Sequence, residues 1–204
     1  MKSILYSPGE PSGIGPDLII QLCSSSFWTE IDIPIICISD PKLLEERAKA
    51  LGKMIDLDQI TNLKSLKDNK KNIVRYISAS KCKKTNFGKL YLSNAPYVIE
   101  SLNFGIDQAL ENKNTALVTG PISKESIISI DKKFQGHTEY IQKKTASDDV
   151  LMLLGSDKLK VALATTHLPL KNVAKAITKK LIISKAKILN DELKNKFKIK
   201  NPKI

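Results

Sequence analysis

Ser3-Ile4-Leu5-Tyr6-Ser7-Pro8-Gly9-Glu10-Pro11-Ser12-Gly13-Ile14-Gly15-Pro16-Asp17 decides the fold class of this 204-residue chain. A short apolar run, Ser3 to Ser7, gives way at once to a turn rich in glycine and proline. Pro16 and Asp17 then suit the first turn of a helix that continues through Leu18-Ile19-Ile20-Gln21-Leu22, because proline is tolerated where the N–H is unbonded anyway and an acid complements the helix dipole. Strand, glycine turn and helix in immediate succession open an α/β unit.

The same order recurs downstream. Ile33 to Ser39 is a buried-strand run, followed by Asp40 as N-cap, Pro41 as first helical residue, and a helix to Leu51 stopped by Gly52. Residues 53–90 are rich in Lys and Asn, with one strand expected near Ile73 to Ile77. From Ser93 to about Asn112, Val98, Leu102, Ile106, Ala109 and Leu110 recur at helical spacing. Thr115 to Thr119 is then a strand ending at Gly120-Pro121. A helix is expected from Ser123, and another near Thr138 after a loop over Asp131 to Gly136. Val150 to Leu154 and Leu159 to Thr166 read as two strands joined by the turn Gly155-Ser156-Asp157-Lys158. An amphipathic helix follows from Thr178, with Ile182, Ala186, Leu189, Leu193 and Phe197 on one stripe.

The fold expected is three-layer α/β/α, with a largely parallel sheet plus an antiparallel hairpin. The length allows one compact domain or two lobes. The division expected is into an N-terminal α/β lobe, residues 1–120, and a partial second lobe, residues 121–204, that carries the histidine motifs.

With 42% hydrophobic and 26% charged residues, the composition is that of an ordinary folded domain. The start lacks the apolar length of a signal peptide, and no later run approaches the roughly 18 residues of a membrane span, so a cytoplasmic location and no membrane partner are expected. Cys23, Cys37 and Cys82 are scattered and show no Cys-x-x-Cys spacing, which argues against a disulfide framework or thiolate zinc site.

The formal charge is +12. Nucleic-acid binding would follow only if the cations formed a recognition surface. Of the 33 basic residues only Arg47 and Arg75 are arginine, and 11 lysines against Asp191 and Glu192 concentrate the excess in residues 171–204. A single aromatic residue, Phe197, lies among those lysines rather than a series of stacking platforms, so a solvated helix face is expected and no nucleic-acid partner.

Three segments that could carry chemistry follow expected strands. The turn Gly9 to Gly15 lacks the Gly-Lys-Ser/Thr of a P-loop and departs from Gly-x-Gly-x-x-Gly. On spacing alone it is equally a tight strand-to-helix connection or a ligand-facing loop. Phe134-Gln135-Gly136-His137-Thr138-Glu139 puts a histidine at a helix start, where backbone N–H groups favour an anion. A lone histidine there is nonetheless more often a capping or packing residue. Val161-Ala162-Leu163-Ala164-Thr165-Thr166-His167-Leu168-Pro169 ends a strand in two hydroxyls and an imidazole. His167 cannot hold a transition metal unaided, since such ions take three or more protein ligands. Neither a Gly-x-Ser-x-Gly elbow nor a His-Glu-x-x-His motif is present.

Taken together, Gly9-Glu10-Pro11-Ser12-Gly13-Ile14-Gly15-Pro16, Val118-Thr119-Gly120-Pro121-Ile122-Ser123-Lys124, Phe134 to Glu139 and Val161 to Leu170 closely resemble the 4-hydroxythreonine-4-phosphate dehydrogenases of pyridoxal phosphate biosynthesis. That family shares the fold of isocitrate and isopropylmalate dehydrogenases. The resemblance implies NAD- or NADP-dependent oxidation, with decarboxylation, of 4-phosphooxy-L-threonine, a small phosphorylated hydroxy-amino acid, to 3-amino-2-oxopropyl phosphate. A divalent metal (Zn, Mg or Co) would polarise the reacting oxygen.

Residue by residue, the resemblance implies that His137 and Thr138 bind substrate and that His167 is one of three metal-binding histidines. Lys124 matches a recurrent lysine with no assigned role. Family members continue past Ile204 into segments bringing the other two metal histidines, further substrate contacts and much of the nicotinamide pocket. A C-terminally truncated chain, inactive by itself, is therefore expected, from a family whose complete members are homodimers. The alternatives are a related dehydrogenase acting on 4-phosphorylated threonate or erythronate or on a dihydrodiol, and a non-catalytic remnant.

Overall fold

The computed structural model describes residues 2–64, 66–156 and 158–204. The chain divides into two compact units, Met1–Ala146 and Ser147–Ile204.

The first unit is built on five parallel strands: β1 (Ser3–Ser7), β2 (Ile35–Ile38), β3 (Asp56–Gln59), β4 (Ile73–Ile77) and β5 (Thr115–Thr119), in the spatial order β3-β4-β2-β1-β5. Ile4 lies opposite Ile35 and Ala116, which fixes the central register. Side chains alternate between two buried faces, as the pleat requires. Tyr6, Ile35, Cys37, Val74 and Tyr76 meet Ile19, Ile20 and Cys23 of α1 (Gly15–Cys23) and Leu44 and Ala48 of α2 (Pro41–Ala50). Leu5, Ile36, Ile38 and Ile77 face the other way, with Phe104 of α3 (Ala95–Glu111) and Leu117 packed against them. A sheet with helices on both faces is the three-layer arrangement expected.

Local signals act where the sequence placed them. Asp40 caps α2, its Oδ1 accepting from the Lys42 N–H at 2.9 Å, with Pro41 next. Ser123 caps α4 (Lys124–Ile128) in the same way, accepting from the Ser126 N–H at 3.3 Å. α5 (His137–Lys144) begins one residue ahead of the start expected near Thr138. β3 was not expected: its four residues include three polar ones, and it exists because its backbone pairs with β4 while Arg75 reaches Asp58 at 3.1 Å.

The second unit holds the antiparallel hairpin β6 (Leu153–Gly155) and β7 (Lys160–Ala162), followed by α6 (Leu170–Ala176) and α7 (Lys179–Asn195). The strands are shorter than the sequence suggests. Leu153 pairs with Ala162, and the Leu163 N–H donates to the Met152 carbonyl at 3.0 Å; among the described residues the pairing goes no further, and residues 163–166 lie outside β7. The expected turn Gly155-Ser156-Asp157-Lys158 includes Asp157, which lies outside the described residues. α6 was also unexpected. Thr178 caps α7, and Lys185 anchors that helix through Asp149 Oδ1 at 2.5 Å and the Val150 carbonyl at 2.6 Å. The Lys185 ammonium holds the Asp149 carboxyl below its ordinary pKa. Among the described residues no helix is long and apolar enough to cross a membrane.

Candidate functional site

The Gly9–Gly15 turn at the carboxyl end of β1 is held by the protein on every side. The Glu10 N–H donates to the Pro121 carbonyl at 2.9 Å, the Gly13 N–H to the Glu10 carbonyl at 3.0 Å, and the Ser12 N–H to Glu10 Oε1 at 3.1 Å. The Tyr6 hydroxyl donates to the Gly15 carbonyl at 2.9 Å. From α2, Arg47 donates through Nη2 to the Gly13 carbonyl at 2.7 Å and through Nε to Asp17 Oδ1 at 2.6 Å, its guanidinium lying 4.1 Å from the centre of the Phe87 ring.

These bonds favour the tight strand-to-helix connection over a phosphate-cradling loop. A phosphate-cradling loop offers free N–H groups, whereas those of Glu10, Ser12 and Gly13 are already used. The glycines serve close backbone approach. A Cβ on Gly15 would stand 1.8 Å from the Pro8 carbonyl oxygen, and one on Gly120 would stand 2.3 Å from the same atom. Three polar atoms around the turn, Glu10 Oε2, Ser12 Oγ and Arg47 Nη1, are buried without a hydrogen-bond partner among the described residues. Burial raises the Glu10 carboxyl above its ordinary 4.5. Sequence reasoning did not anticipate Arg47. The one available signal was that it is one of two arginines in a lysine-rich chain.

His137 and Thr138 stand together at the start of α5, with Gly136 as N-cap. Tyr140 fixes the helix, its hydroxyl donating to Asn103 Oδ1 of α3 at 2.8 Å and its ring lying 5.5 Å from Phe134. Phe134 in turn is buried with Ile127, Leu43, Tyr97 and Val98. The His137 imidazole is half-buried, and burial lowers its pKa from 6.5, leaving it neutral at neutral pH with one donor and one acceptor nitrogen. It therefore offers an incoming group a hydrogen bond rather than a charge. Glu139 and Lys124 flank Gly136: a Cβ there would meet Glu139 Oε2 at 3.1 Å and Lys124 Nζ at 3.8 Å.

His167 belongs to the second unit. It lies beyond the end of β7, in the exposed connection to α6, rather than at a strand end as expected. Its φ of 57° is uncommon for a residue other than glycine. Among the described residues no group of three or more His, Cys, Asp or Glu side chains could hold a metal ion, so the residues present do not form a complete metal site. Cys23, Cys37 and Cys82 are free thiols, and burial pushes the Cys82 thiol up to about 12, which makes it a poor nucleophile.

Residues 30–204 match the family described as pyridoxal phosphate biosynthetic protein PdxA. The chain belongs to the PdxA family. Among its relatives, the 4-hydroxythreonine-4-phosphate dehydrogenase of Salmonella arizonae is 36% identical over 203 residues, and that of Colwellia psychrerythraea is 38% identical over 206. Each alignment covers 100% of this chain but 60% and 61% of the relative, so the chain spans about three fifths of their length. The PdxA fold is equally evident in solved structures. A 4-hydroxythreonine-4-phosphate dehydrogenase from Klebsiella pneumoniae superposes with a TM-score of 0.85 at 22% identity, and one from Burkholderia phymatum with 0.83 at 21%. Both cover 95% of this chain and 58% of the solved one.

Proposed function

We propose that this chain supplies the substrate-binding part of an NAD- or NADP-dependent oxidoreductase that converts 4-phosphooxy-L-threonine, with loss of CO2, to 3-amino-2-oxopropyl phosphate. The observation that carries this is the 36–38% identity, across the whole chain, to proteins named 4-hydroxythreonine-4-phosphate dehydrogenase. The nicotinamide would accept the hydride. The glycine turn is a poor cradle for its phosphates, because the N–H groups of Glu10, Ser12 and Gly13 are bonded within the protein.

In this reading His137 donates a hydrogen bond from its neutral imidazole to the phosphate or carboxylate of the substrate, and the Thr138 hydroxyl adds a second. His167 contributes one ligand to a divalent ion such as zinc, magnesium or cobalt. The lone imidazole cannot hold such an ion by itself. We therefore expect the 204 residues alone to lack turnover. The complete enzyme is taken to be a cytoplasmic homodimer, with the division at 120/121 separating its lobes.

A chimera joining this chain to the remaining C-terminal part of the Colwellia psychrerythraea relative tests the reading. It should reduce NAD or NADP when given 4-phosphooxy-L-threonine and a divalent metal, and His137→Ala should raise KM by roughly tenfold, as loss of a charge-assisted hydrogen bond implies. A folded chimera active on 4-phosphothreonate, 4-phosphoerythronate or a dihydrodiol instead would replace the substrate. One inactive on all four would remove the enzymatic reading.

A further inference from the structure

We infer that Lys124 supplies the positive charge for the anionic group of the substrate at the His137–Thr138 site, an inference that rests on the reading of that site given above. A phosphate monoester brings close to two negative charges, and bringing charge against protein without compensation is costly. Neither residue assigned to the anion provides that compensation. Thr138 carries a hydroxyl, and burial keeps the His137 imidazole neutral at neutral pH.

The cation beside this turn is Lys124. Its Cε and Nζ each lie 3.8 Å from the point where a Gly136 Cβ would stand, which is ordinary contact distance, so a glycine at 136 leaves the lysine stem and ammonium lying against the residue that precedes His137. Two features hold Lys124 there. The Ser123 cap sets Lys124 as the first residue of α4, and Ile127, one turn on, is fully buried in the same apolar cluster as Phe134, two residues before Gly136. The backbones that carry the lysine and the histidine are thus anchored to one piece of core. Among the described residues, the Lys124 ammonium has no hydrogen-bond or ion-pair partner, and its side chain is exposed. An ammonium that is placed but not consumed by a salt bridge is free to pair with a ligand.

The test uses the 204-residue chain itself and follows the backbone amide resonances of Gly136, His137 and Thr138 by NMR during titration with inorganic phosphate, and in a parallel arm with acetate. Saturable shifts are expected, weakened about tenfold in Lys124→Met and retained in Lys124→Arg, the scale of one charge-assisted contact. Because Lys124 is exposed, unchanged spectra away from the site verify that the variants remain folded. The tighter of the two anions identifies the substrate group the lysine serves, and either result upholds the inference. Equal affinity in wild type and Lys124→Met overturns the role of Lys124 while leaving the His137–Thr138 reading intact. Absence of any shift in the wild type overturns both.

Discussion

Gly15 and Pro8 approach so closely that a single methyl group on Gly15 would stand 1.8 Å from the Pro8 carbonyl oxygen. The contact closes the turn between β1 and α1, the connection on which the fold class was read. Because the obstructing atom is backbone, no side-chain rotation relieves the clash. Gly15→Ala is expected to destabilise the first unit by about 3 kcal/mol, at the upper end for forced overpacking. Urea unfolding followed by circular dichroism would measure it. A midpoint unchanged from wild type would show that the turn yields easily and does not pin α1.

Arg47 and Asp17 join α2 to the first turn of α1 through a largely buried ion pair, with side chains 5% and 19% exposed. Removing one partner of such a pair strands the other and forfeits the Gly13 carbonyl bond as well. Arg47→Met is therefore expected to cost about 3 kcal/mol. Replacing both, as Arg47→Met with Asp17→Asn, should cost less than Arg47→Met alone, because no unpaired carboxylate remains. A double variant less stable than the single one would mean that the pair is not the source of the loss.

The sequence revealed these elements unevenly, for physical reasons. β1, α1, α2 and β5 were legible because their signals are local: an apolar run, a cap, a proline at the first helical position. β3 was hidden because Asp56-Leu57-Asp58-Gln59 becomes a strand through its pairing with β4, not through its own composition. β7 was read too long because its extent depends on a three-residue partner. At the site, the Gly136-His137 boundary was visible within one residue. The grip of Arg47 on the glycine turn was not, since Asp17 and Arg47 are far apart in sequence and only the packing of α1 on α2 joins them.

Glu10 gives the turn a pH dependence. Its carboxyl is raised above the ordinary 4.5, first by burial, against a smaller opposing effect of the Ser12 hydrogen bonds. The folded state therefore holds this proton more tightly than the unfolded chain does. The stabilisation that follows is fully present below about pH 4.5 and is lost as pH rises through the folded-state pKa, so at neutral pH the charged carboxylate is a burden. Glu10→Gln keeps an acceptor for the Ser12 N–H and removes that charge. The variant should melt higher than wild type at pH 7, with the difference shrinking toward pH 4.5. A variant that melts lower at pH 7 would show that the carboxylate finds compensation in the folded protein.

His137 should act in the opposite direction on the pH axis. Burial depresses its pKa below 6.5, so the unfolded chain takes up the proton first as pH falls. Above about pH 6.5 both states are neutral and the residue imposes no penalty. Between 6.5 and the depressed folded-state value, stability declines, and below that value the loss is constant. Because the side chain is half-buried, solvent screens part of the effect. His137→Gln retains a hydrogen-bonding side chain at the start of α5 but cannot be protonated. Melting temperatures of wild type and variant, measured across pH 5 to 8, should diverge below about pH 6.5 with the wild type falling faster. Parallel curves would mean that the imidazole is as hydrated in the folded protein as in the unfolded chain, which would also remove the reason for assigning the positive charge of the site to Lys124 rather than to the histidine.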